Sequence, residues 1–209
     1  MKGLLLKDMY LSWKYYKAFF VIAVGFAVMA VWSSANPFLV AYPFMLVSMI
    51  PVGLQNFDEA SKWDVYCGTM PCTKAEIVSG KYLIGLIFAL PAFLLNVGSQ
   101  LLRMRIVEEM NWGELEGILS LCLMLVFLLP AISLPMVFRF GSAKGRIVQY
   151  GFIALVCGSS AAMSVILDGR MPVFLTGGTV LWLVVLAAAG LYALSWYLSI
   201  RFYEKREIQ

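Results

Sequence analysis

The sequence is most informative in what it leaves out. No histidine occurs among its 209 residues. That excludes a Ser-His-Asp triad and any histidine-ligated metal. There is no G-x4-G-K-[ST] run either: Gly141-Ser142-Ala143-Lys144-Gly145 is too short and misordered to cradle a nucleotide phosphate. Charge is scarce as well, at 13% of residues, where soluble domains carry about 25%. Cysteine is limited to four residues. Cys122 and Cys157 lie inside apolar runs and read as small hydrophobes. Cys67 and Cys72 stand at C-x4-C spacing with no second pair, which does not make a zinc site. Glu108-Glu109 resembles the start of an intramembrane protease motif, but the histidine that motif needs is missing. No metal, no cofactor and no enzymatic activity is expected of the chain itself. Low-complexity tracts and strong internal repeats are absent too.

What is present is apolar: 62% of the chain. A water-soluble fold of this length could not hide that much apolar surface, because it needs a polar exterior. A bilayer removes the difficulty. A helix needs about 20 apolar residues to cross the hydrocarbon, and six stretches qualify, at about 18–34, 37–55, 82–102, 115–138, 147–167 and 172–200. Each is expected to be helical, since lipid tolerates only internally hydrogen-bonded backbone. The chain reads as an all-α membrane protein, a single transmembrane domain over 1–209. The basic start followed by an apolar run mimics a signal peptide, but seventeen amphipathic residues precede the run, so an uncleaved first helix is expected.

Orientation follows from the 16 lysines and arginines. With the N-terminus inside, only Arg103, Arg105 and Arg170 fall on outer segments and the other thirteen on inner ones. A missed or invented span would scramble that partition, so both termini are placed in the cytoplasm. The net charge of +4 serves this asymmetry, and no nucleic-acid partner is expected.

Two segments beside the spans have helical periodicity. Leu6, Met9, Trp13, Tyr16 and Phe20 recur at steps of three and four, which predicts an N-terminal amphipathic helix lying on the inner membrane surface. In the loop between spans two and three, Trp63, Tyr66, Cys67 and Met70 share one face of a helix from Glu59 to about Met70, ended by Pro71. Asp58, Glu59 and Asp64 are acidic in a compartment where basic residues orient the chain, and a protein partner is one reason for them. Thr73, three residues before Glu76, forms a capping-box pattern that starts the helix into span three.

Within the spans no ionisable residue stands mid-membrane, which disfavours a carboxylate relay. Asn96, Ser99 and Gln100 crowd the outer half of span three, either as the polar lining of a substrate path or as helix–helix hydrogen bonds, with the second favoured. Ala154, Gly158 and Ala162 repeat every four residues in span five, a spacing for close helix contact, within the subunit rather than in a dimer. Pro91, Pro130 and Pro135 can kink spans three and four.

The run Asp58-Glu59-Ala60-Ser61-Lys62-Trp63-Asp64-Val65-Tyr66, followed by Met70-Pro71-Cys72-Thr73-Lys74-Ala75-Glu76-Ile77-Val78-Ser79-Gly80-Lys81-Tyr82, resembles the cytoplasmic loop of small ABC type-2 transporter permeases. In that family an acidic stretch with W-D-x-Y leads to L-P-x-[ST]-[RK]-x-x-I-V-x-x-K-Y. Here Met70 replaces the leucine and Cys72 the aliphatic residue. The opening Met1-Lys2-Gly3-Leu4-Leu5-Leu6-Lys7-Asp8 also looks like the family's start. The resemblance implies a permease that pairs with a second permease subunit, as a homodimer, in a bacterial plasma membrane. It implies a separate ABC ATPase subunit that binds ATP and magnesium. By position the family's coupling helix falls on Asp58, Glu59, Lys62, Trp63, Asp64, Tyr66, Met70 and Pro71, with Trp63 and Tyr66 as anchors. Export of amphipathic peptides or other amphiphiles is the implied activity. A non-transporting immunity or sensor protein is the alternative.

Overall fold

A computed structural model describes residues 2–32, 37–67, 73–107, 112–166 and 178–205. Every element in it is a helix: α1 (Lys2–Trp32), α2 (Pro37–Ala60), α3 (Trp63–Cys67), α4 (Lys74–Val107), α5 (Trp112–Phe140), α6 (Ser142–Ile166) and α7 (Gly178–Lys205). Among the described residues, α1, α2, α4, α5 and α7 are long and apolar enough to cross a membrane. The remaining expected span coincides with α6, and its end at Leu167 lies outside the described residues.

Contacts between helix ends fix how the chain threads. Asp8 meets Lys81, Ser142 meets Glu59, and Lys74 donates to the Glu204 carbonyl. The start of α1, the end of α2, the starts of α4 and α6 and the end of α7 therefore share one end of the bundle, here called the α3 end. The six long helices run alternately away from it and back. Of the five helices long and apolar enough to cross, α2 is the most enclosed, and α1 and α7 the most exposed.

The side-chain distribution suits lipid. Val21, Val28 and Trp32 of α1, Leu90 and Leu94 of α4, and Leu183, Leu186 and Leu194 of α7 point outward, while Ser133, Ser195, Ser199 and Gln149 are buried. Contiguous apolar surface on this scale needs an apolar surrounding. Inside, polar groups join helices. The Tyr82 hydroxyl lies 2.8 Å from Ser195 Oγ and 2.7 Å from Ser199 Oγ. Tyr192 donates to the Tyr82 carbonyl, and Ser195 to the Ala131 carbonyl. Tyr82 also stacks on Trp196, with ring centroids 5.4 Å apart. These contacts fasten α4 to α7 and α7 to α5.

Two turns at the α3 end require unusual backbone. Gly141 has φ 89° and its N–H closes α5 on the Val137 carbonyl at 2.8 Å, a left-handed cap that glycine adopts without a Cβ penalty. Gly145, one turn into α6, lies so close to α5 that an added Cβ would be 2.9 Å from Val137 Cα. Lys62, between α2 and α3, holds φ 53°.

Two expectations change here. The N-terminal amphipathic stretch is not a separate surface helix: residues 2–32 form one uninterrupted helix. No proline lies between its amphipathic and apolar parts, and Asp8 and Ser12 are drawn into the bundle. Leu6, Met9 and Trp13 point outward, whereas Tyr16 and Phe20 pack on the core. The small-residue face of α6 also turns out differently. Ala154 and Gly158 are exposed rather than packed within the subunit, nothing stands within 4 Å of a Cβ built at Gly158, and the Ala162 side chain lies outside the described residues. Pro91, Pro130 and Pro135 sit inside helices that run on through them.

Candidate functional site at the α3 end

The site is built from the loop that joins α2 to α4. α2 continues to Ala60, then Ser61 and Lys62 turn the chain. The Ser61 N–H bonds the Phe57 carbonyl at 3.0 Å, and the Lys62 N–H bonds the Glu59 carbonyl at 3.2 Å. α3 then occupies Trp63–Cys67, not the continuous helix expected from Glu59: the left-handed Lys62 breaks it, so Asp58 and Glu59 belong to α2, and residues 68–70 lie outside the described residues. On its far side Thr73 caps α4. The Glu76 N–H donates to Thr73 Oγ1 at 3.2 Å, and the Thr73 N–H donates to a Glu76 carboxylate oxygen at 3.1 Å. This is the reciprocal pair that the Thr73/Glu76 spacing predicted.

α3 is seated by two side chains. Cys67 is buried, and Trp63 packs with it against the cluster of Val78, Tyr82, Leu134, Phe138 and Tyr203. Tyr66 stays 55% exposed, its ring 5.4 Å from that of Trp63. Lys62 is exposed as well. The Lys7 ammonium lies 4.3 Å from the Trp63 ring centroid, a cation–π contact that ties α1 to α3.

The acids do not face outward as the sequence suggested. Asp58 is 4% exposed and accepts from Lys7 at 2.6 Å and from Lys81 at 2.5 Å. Glu59 accepts from the Ser142 N–H at 2.9 Å, which places an anion at the positive N-terminal end of α6. Asn56, one turn earlier, accepts from Ser142 Oγ and from Arg146. The reason for two of the three acids is therefore inside this chain, in holding α2 to α1, α4 and α6. The Asp64 side chain lies outside the described residues, as do Met70 and Pro71.

Four charges meet where α1, α2 and α4 converge. Lys81 is 1% exposed and also donates to Asp8 at 2.9 Å, while Lys7 stands 3.3 Å from Asp8. The sequence pattern did not bring these four residues together. The available signal was Asp8 and Ser12 one turn apart on a helix otherwise rich in apolar and basic residues.

A family model described as "ABC-2 family transporter protein" matches residues 3–204, nearly the whole chain. The chain belongs to the ABC-2 transporter family. As an ABC-2 family member it is a multi-pass membrane permease of an ABC transporter, and permease domains of this kind are the transmembrane component, distinct from the ATPase. No curated protein matches the chain.

The three polar residues expected at the far half of α4 of this ABC-2 permease are all buried. Asn96 donates to the Ala92 carbonyl and Ser99 to the Asn96 carbonyl, both within α4. Among the described residues they do not form the interhelical bonds that the sequence favoured. Gln100 is 0% exposed, and among the described residues neither its amide nitrogen nor its amide oxygen has a hydrogen-bond partner. Among the described residues no group of three or more Cys, Asp or Glu could hold a metal ion.

Proposed function

We propose that this permease is the membrane subunit of an ATP-driven exporter, with α3 as the coupling helix that a separate ABC ATPase grips. The observation that carries the reading is the seat of α3. A five-residue helix projects Tyr66 outward beside the exposed Lys62 of the preceding turn, while Trp63 and Cys67 root it in the bundle. A partner pushing on such an element moves the ends of several helices, whereas a solvated connector would absorb the push. Aromatic anchors beside exposed polar groups are also what tight protein interfaces favour.

The α3 end then faces the cytoplasm of a bacterial cell, in line with the distribution of basic residues. ATP and magnesium are held by the partner. A second copy of this chain completes the translocation unit, and the exposed Ala154 and Gly158 of α6 suit close approach of another helix. Asn96, Ser99 and Gln100 line the outward path. What supports that role is Gln100, whose buried amide carries an uncompensated desolvation penalty of about 1–3 kcal/mol unless water or substrate meets it. Amphipathic peptides, which present both polar and apolar faces, are the cargo best matched to such a path.

The test is co-purification and export. Trp63→Ala with Asp64→Ala, and Tyr66→Ala by itself, are expected to cut recovery of the ATPase subunit with the tagged permease. Tyr66→Ala is the cleaner change, because its side chain is exposed. Full ATPase recovery and full export in both variants would remove α3 as the docking element. A wild-type permease that recruits no ATPase would remove the exporter reading altogether.

A further inference from the structure

The buried charges at the α3 end have a connectivity that stability alone does not call for. A buried ion pair is weak evidence for stability, since apolar residues of similar volume often do as well. Here the pairs join elements in a particular way. Asp58 lies in the last turn of α2 and Lys81 about two turns into α4, so the loop that carries α3 is clamped across its base by the Asp58–Lys81 pair. Asp8 of α1 joins the same ammonium. Lys7, one residue earlier, joins Asp58 and lies over Trp63. A displacement of α3 thus reaches α1 through the Lys7–Trp63 contact, and Lys7 passes it on to α2 and α4 through the hydrogen-bonded charges. Apolar contacts are non-directional and can slide. Hydrogen-bonded charge networks have discrete arrangements and can carry coupling between distant sites.

We infer that Lys7, Asp8, Asp58 and Lys81 form the joint that carries movement of α3 into the transmembrane helices, with Lys7 as the positioning residue that holds Trp63 and Asp58 together. The inference rests on the reading of α3 as the ATPase-docking element. Its distinguishing consequence is that the joint can be disabled while docking is kept. Among the described residues, the pairs of the cluster are made by Lys7, Asp8, Asp58 and Lys81, which stand on α1, α2 and α4.

The experiment uses the full permease with its co-purified ATPase subunit in lipid nanodiscs. Hydrogen–deuterium exchange is followed without nucleotide and after trapping with ATP and orthovanadate. In wild type, a trapped-state change at 61–67 is expected together with changes at 2–20 and 74–90. Asp58→Asn with Lys81→Met removes one pair and leaves Lys7 with Asp8, so no charge is stranded. In that variant the response at 61–67 persists and the responses at 2–20 and 74–90 fall at least about fivefold, the lower end of usual allosteric couplings. Responses equal to wild type overturn the inference, as does loss of ATPase binding, which would make the cluster a support for α3 and no more. Lys7→Gln is the gentler second variant, since its side chain is 25% exposed. It is expected to lower the α1 response with unchanged ATPase recovery, and an undiminished response overturns the inference independently. A wild-type complex with no response at 61–67 would instead refute the docking role of α3, and the joint with it.

Discussion

Lys81→Met tests the charge cluster most sharply. The Lys81 side chain is 2% exposed and stands between two carboxylates, each 5% exposed, at 2.9 Å from Asp8 and 2.5 Å from Asp58. Methionine keeps most of the volume and removes the charge. Lys7 alone is then left to balance both acids, which it touches at 3.3 Å and 2.6 Å. One negative charge is left buried and uncompensated, and breaking a buried pair in this way costs about 3–5 kcal/mol. For a chain of this length each kcal/mol lowers the melting midpoint by roughly 2–4 °C, so a loss of about 6–20 °C is expected. Adding Asp58→Asn removes the stranded charge, and the double variant should recover about 1–3 kcal/mol of that loss, the size of coupling between residues in one network. The assay is thermal unfolding of the detergent-solubilised permease, read by loss of the monodisperse size-exclusion peak, for wild type, both single variants and the double. A Lys81→Met midpoint within about 2 °C of wild type, or a double variant as unstable as the sum of the singles, would refute the reasoning, because the charges would then not depend on one another.

Other changes probe the helix contacts and the path. Tyr82→Phe removes the hydroxyl that meets Ser195 and Ser199 and should cost about 1–3 kcal/mol in the same melting assay, since Ser199 is left buried. Gly145→Ala places a methyl group 2.9 Å from Val137 Cα and 2.3 Å from Val137 Cγ2; a backbone neighbour cannot swing aside, so a loss of about 1–3 kcal/mol is expected as overpacking. Thr73→Ala removes the cap of α4 and should speed amide exchange at 74–77 while costing about 0.5–2 kcal/mol. Gln100→Leu relieves a buried amide without partners, so it should raise the melting midpoint by roughly 2–4 °C for each kcal/mol gained. If the path runs past Gln100, the same change lowers export by the reconstituted complex.

Much of the architecture was legible because the solvent enforces it. In hydrocarbon every backbone group must bond within its own segment, so long apolar runs become helices whatever their neighbours. The helices followed those runs and extended beyond them at the α3 end, as α1 and α2 do. The Thr73–Glu76 cap was equally legible, because its partners are three residues apart and the geometry is local. The loop between α2 and α4 drew notice by its aromatic spacing and its resemblance to one family. The orientation of its acids was not found, because their partners are remote in sequence: Lys81 is 23 residues from Asp58, and Asp8 is 73 residues from Lys81.

The contrast is clearest in α1. Periodicity placed Leu6, Met9 and Trp13 on one face, and they do share one, but a helical wheel does not say which face turns inward. In water the apolar face would. Beside lipid the preference is lost, and Asp8 goes inside because Lys81 awaits it there; Ser12, on the same face, satisfies its hydroxyl on the Asp8 carbonyl of its own helix. The sequence by itself determined that this protein is a bundle of membrane-crossing helices with a helical element between α2 and α4, since apolar length and local spacing suffice for that. Only the tertiary structure decided that Asp58 and Glu59 brace the bundle and that four charges meet beside α3, one of them, Lys7, over Trp63. Where apolar surface is indifferent to lipid or protein, the few buried charges and close glycine contacts choose the arrangement, and their partners are known only once the chain is folded.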